Sequence, residues 1–115
     1  MDAEPQLYQS ALHFERATKT VTFLAGGREY PQRATLRALL RLEEKLGSAT
    51  ALLGRLANRQ ATLAELGTAL CAVLRDHKDA PRKPEERLDA IEAVGARESA
   101  DALIVWLSFG LDSDQ

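Results

Sequence analysis

Residues that favour strands are scarce in this chain. Val and Ile together number six among 115 residues, and Phe, Trp and Tyr another six, whereas Ala and Leu number 19 each. Ala and Leu favour helices, while β-branched and aromatic residues favour strands, so an all-β sandwich or barrel is excluded. Cysteine is nearly absent. Cys71 alone can neither form an internal disulfide nor supply a four-ligand zinc site, and it fits a reducing compartment. Long apolar runs are missing too. The longest, Leu103 to Leu111, spans nine residues and contains Ser108 and Gly110, against the ~20 needed to cross a bilayer. The acidic stretch Met1–Ser10 lacks the basic and apolar regions of a secretory signal. Neither sign of charge dominates. Fifteen Lys and Arg oppose 17 Asp and Glu, a net charge of −2 without the basic footprint of a nucleic-acid binder. What is present is 45% apolar and 28% charged residues, the balance of one soluble, core-forming, helix-rich domain.

The few strand formers are not scattered. Thr20 to Phe23 alternate, with Val21 and Phe23 on one face and Thr20 and Thr22 on the other. That is the period of a half-buried strand. Gly26-Gly27 supplies a tight hairpin turn, and Glu29 and Tyr30 begin a return strand whose Pro31 confines it to an edge or an end. The hairpin is expected over 19–32, with His13 and Phe14 candidates for a further short strand. From Thr35 the pattern turns helical. Helices are predicted over about 35–46, 49–57, 62–76, 85–95 and 98–109. The first carries a stripe of Leu36, Leu39, Leu40 and Leu46, with Leu42 at its flank, and ends at Gly47. Thr62 and Glu65 have the spacing of a capping box, Pro84 suits a helix start, and Glu98 or Ser99 is expected to open the last helix. Residues 76–86 read as a linker, 1–17 as an N-terminal extension, 18–111 as the domain and 112–115 as a polar tail.

Chemistry-bearing patterns are thin. No P-loop and no GxGxxG is present, and His13 and His77 have no metal-ligand partners at suitable spacing. No cofactor and no metal is expected. Cys71, between Leu70 and Ala72, reads as a small buried hydrophobe, with a reactive thiol the alternative. Glu43-Glu44 and Glu85-Glu86 are adjacent on helices, so their carboxylates diverge by ~100° and form no shared-proton dyad. Arg37, Arg41, Arg55 and Arg59 interleave with leucines and read as a solvated face, without aromatics for base stacking. The last helix stands out. Leu103, Ile104 and Leu107 form an ordinary core stripe, but Val105, Trp106, Phe109 and Leu111 carry apolar surface around the cylinder. Such a helix is either buried on all sides or exposed in part; Val105, Trp106, Phe109 and Leu111 are expected to contact a protein partner or a second copy of the chain.

The segment from Thr20 to Gly47, a hairpin turning at Gly26-Gly27 followed by a Thr35-capped helix ending in Leu42-Glu43-Glu44-Lys45-Leu46-Gly47, resembles small tail assembly proteins of long-tailed phages and gene transfer agents. The short Leu-rich helix, the helix from Thr62 and the C-terminal helix pair follow in that family's order, so the resemblance covers about 18–111. Pro31 departs from it, standing where the family has an ordinary strand residue. The resemblance implies a tail assembly chaperone: a non-enzymatic protein of the bacterial host cytoplasm that holds the tape measure protein soluble and helps tail tube subunits polymerise. The fold expected is α+β and mostly α, an N-terminal β-hairpin packed on a bundle of about five helices. Other small binding modules, namely a secretion chaperone or a phage-encoded inhibitor of a host protein, share this composition. A nucleic-acid-binding regulator using the Arg-bearing helices, or an enzyme using Cys71, is disfavoured by the charge balance and the missing catalytic constellation.

Overall fold

The structure, a computed structural model, describes residues 13–112. Residues 1–12 of the expected N-terminal extension and 113–115 of the expected polar tail lie outside the described residues. The fold is α+β and mostly α: a small antiparallel sheet at the N-terminal end packs on five helices.

Strands β1 (His13–Glu15), β2 (Thr20–Ala25) and β3 (Arg28–Arg33) form one sheet in the order β1-β2-β3. Val21, Phe23 and Ala25 on β2 are buried, and Phe23 pairs with Tyr30 across β3. Gly26 and Gly27 both hold positive φ, +59° and +81°, the requirement of the hairpin turn that matches strand twist. Pro31 pairs with Thr22, and its carbonyl accepts from His77 Nε2 at 3.1 Å. In an antiparallel strand a residue's N–H and C=O point to the same side. Pro31 therefore turns that side away from β2, and its missing N–H costs no ladder bond.

The helices are α1 (Leu36–Leu46), α2 (Ala49–Ala57), α3 (Leu63–Val73), α4 (Arg87–Val94) and α5 (Ala96–Leu111). Side-chain caps start the first three. Thr35 accepts from Ala38 N at 3.1 Å, Ser48 from Ala51 N at 3.2 Å, and Thr62 from Glu65 N at 3.1 Å while Glu65 accepts from Thr62 N. Short 3-10 turns at Leu74–Asp76 and Pro84–Glu86 take the final residues of the helix expected over 62–76 and the first of that expected over 85–95. The last helix opens earlier than its expected start at Glu98 or Ser99. Gly95, at φ +100°, ends α4 and leads directly into Ala96. Ser99, fully buried, instead donates from Oγ to the Gly95 carbonyl.

The core lies where the sheet, α1, α2, α3 and α4 close around α5, which touches β2 and the other four helices. The linker is pinned to β3. Arg28 pairs with Asp79 at 3.1 Å, Tyr30 donates to the Asp79 carbonyl at 3.4 Å, and Gln32 Nε2 donates to the Val73 carbonyl. His77 stands edge-on to Tyr30 with ring centroids 5.2 Å apart.

Candidate functional site

The four residues expected to contact a partner separate into two groups on α5. Trp106 is 0% exposed and Phe109 only 6%, whereas Val105 is half-buried and Leu111 is 37% exposed. Trp106 and Phe109 thus belong to the core of the folded chain and are not available to a partner docking on it. The reason is partly an element the sequence leaves outside the domain. Phe14 on β1 meets Phe109 edge-on at 5.7 Å, and the Arg16 guanidinium lies 5.6 Å from the same ring. Of the residues assigned to the core, Leu103 and Leu107 are fully buried and Ile104 is half-buried.

The exposed apolar surface lies elsewhere. Leu36 and Leu40, placed in the core stripe of the first helix, are 66% and 58% exposed. Ala38, Leu39 and Leu42 form that helix's buried arc instead. Leu36 and Leu40 project within ~40° of each other, one turn apart. Leu36 lines a shallow cleft of mixed character with Gly110, Ala17 and Ala34 beside Thr18, Lys19, Arg33 and Thr35. Phe14, resting on Phe109, and Leu111, next to Gly110, are also solvent-exposed. Leu63 on α3 and Leu88 on α4 are exposed as well, at 62% and 63%. The signal in the sequence was the width of the α1 stripe: four leucines span a wider arc than the neighbouring elements cover.

The other candidate groups play structural parts. Cys71 is buried and its thiol donates to the Lys83 carbonyl at 3.3 Å. Burial, and then the charge of Glu86, pushes its pKa up, the opposite of what a nucleophilic thiol requires. Glu86 accepts from the backbone N–H groups of Lys83 and Arg82 at 2.9 and 3.1 Å, which lowers its pKa. Arg41 and Arg55 pair with Asp76 and Glu65 respectively, so the four arginines read from the sequence form no common face of free charge. Among the described residues no group of three or more His, Cys, Asp and Glu is placed to hold a metal. No helix among them is long and apolar enough to cross a membrane.

A family model described as phage tail tube protein, GTA-gp10, matches residues 18–111. The chain belongs to this family. The match spans the residues over which the sequence resembles tail assembly proteins, and membership in a phage tail protein family implies a part in protein–protein assembly of a tail. No curated protein and no solved structure matches the chain.

Proposed function

We propose that this tail-family protein is a non-enzymatic tail assembly chaperone, which binds the tape measure protein, the tail tube protein or both in the cytoplasm of the bacterial host. The observation that carries the reading is the exposed pair Leu36 and Leu40, one turn apart on α1, on a chain whose core is already closed around Trp106. Neighbouring exposed apolar side chains mark interaction sites, and such a pair suits an amphipathic helical segment. A second reading, that the chain is itself a constituent of the tail tube, has the family description in its favour.

Co-expression with the tape measure protein tests the chaperone. The wild-type chain is expected to raise the soluble fraction of that protein. Leu36→Asp/Leu40→Asp should lose this effect while keeping its melting temperature, since substitutions on exposed positions usually stay within about 0.5 kcal/mol. A tape measure protein equally insoluble with and without the wild-type chain overturns the proposal.

A further inference from the structure

Helices α1, α3 and α4, with the segment before α4, enclose a cleft of about 430 Å³ on whose walls six cationic side chains converge: Arg41, Lys45, Arg75, Arg82, Lys83 and Arg87. Glu44 is the one carboxylate lining it, and Thr68, Cys71, Ala72 and Pro84 supply its uncharged surface. Among the described residues only Arg41 of the six has an ion-pair partner, Asp76, at a long 3.4 Å, and the Arg41 Nε is buried without an acceptor. Six cations and one carboxylate on its walls, with Asp76 and Glu86 bonded to lining residues beside them, leave the cleft cationic in a chain of net charge −2. Like charges held together are unfavourable, and a counter-charge drawn into the cleft relieves that repulsion.

We propose that this cleft receives an acidic segment of a protein partner, two or more Asp or Glu side chains entering between the arginines and lysines. Guanidinium groups pair bidentately with carboxylates, and the cleft carries four arginines. Nucleic acid fits less well. No aromatic side chain lines the cleft to stack a base. Asp76, Glu85 and Glu86, beside the cleft residues in sequence, oppose any long polyanion running on past it, phosphate or carboxylate alike. A short acidic segment needs only the cleft. Leu36 and Leu40 do not line this cleft, and the inference holds whether the chain is a chaperone or a tube constituent.

The test is fluorescence anisotropy of a labelled tetra-glutamate peptide with the full chain at low salt, beside a 20-base-pair DNA duplex. The peptide should bind saturably and at least tenfold tighter than the duplex. Lys45→Glu/Arg75→Glu/Lys83→Glu should weaken it tenfold or more. Arg33→Glu/Arg37→Glu/Arg97→Glu, which changes net charge equally at exposed positions outside the cleft, should move it less than threefold. If circular dichroism shows that the first triple variant is unfolded, Lys45→Gln/Arg75→Gln replaces it, with a threefold loss expected. No binding of the peptide, equal losses in the two triple variants, no loss in the folded cleft variant, or tighter binding of the duplex overturns the proposal.

Discussion

Phe14 stands edge-on to Phe109, ring centroids 5.7 Å apart, and thereby joins the first described strand to the end of the last helix across almost the whole chain. Edge-to-face aromatic pairs contribute roughly 0.5–1.5 kcal/mol beyond their buried area. Phe14→Ala should lower stability by about 1 kcal/mol and leave Phe109 open to solvent. Chemical denaturation measures the first effect. Binding of a dye that reports exposed apolar surface measures the second, and Phe14→Leu should show less of both.

Trp106 is the only tryptophan and has no exposed surface. Its native fluorescence should be blue-shifted, should resist quenching by iodide, and should move to the red on unfolding. Trp106→Ala removes a large core side chain and should cost about 3–5 kcal/mol. Trp106→Phe should cost far less. Among the described residues the buried indole Nε1–H has no partner, and an orphaned buried donor carries a penalty of about 1–3 kcal/mol that phenylalanine does not incur.

The hairpin and the Thr35 and Thr62 caps were legible in composition and spacing. Val21 and Phe23 announced a half-buried strand, and Thr62 with Glu65 announced a capping box. Which side of α5 is covered was not legible. Apolar residues around a helix cylinder look the same whether a partner or the chain itself covers them. Phe109 is covered by Phe14 and Arg16, from residues whose local sequence gives no helix period and only a three-residue strand. The leucines of α1 misled for a related reason. Leu36 and Leu40 share the apolar stripe with Leu39, but the neighbouring elements cover only the arc of Ala38, Leu39 and Leu42. The basic cleft was invisible because its six cations come from three separate stretches that meet only in the fold.

Gly67 marks the closest approach of α3 and α4. A Cβ there would lie 2.8 Å from the Arg87 Cβ and 3.0 Å from the Arg87 carbonyl oxygen. Neither atom can turn aside as the end of a long side chain would. Alanine gains about 1 kcal/mol of helix propensity over glycine, but overpacking costs about 1–3 kcal/mol. Gly67→Ala should therefore be net destabilising, on the order of 1 kcal/mol in denaturant titration. Gly54→Ala, on α2 with open space around it, should instead stabilise.

Glu65 sets a pH dependence. The Thr62 backbone N–H that it accepts, and then its ion pair with Arg55 at 2.8 Å, outweigh desolvation and hold its carboxyl below the usual carboxylate range. A carboxyl whose pKa is lower in the folded than in the unfolded state stabilises fully above its unfolded value, about 4.3, and loses that contribution as pH falls through the folded value. Stability measured from pH 7 down to pH 3 should fall, and Glu65→Gln should reduce the slope below pH 5. Thr62→Ala should cost about 1 kcal/mol at pH 7 by removing the cap.

An assembly chaperone, as proposed, differs from a tube constituent in not being a stoichiometric part of the finished tail. Quantitative mass spectrometry of purified, finished tail particles, beside the lysate in which they form, tests this most directly. The account predicts a chain abundant in the lysate and absent from the particles. A chain present in the particles in numbers comparable with the tail tube subunit would contradict it and make the protein a constituent of the tube.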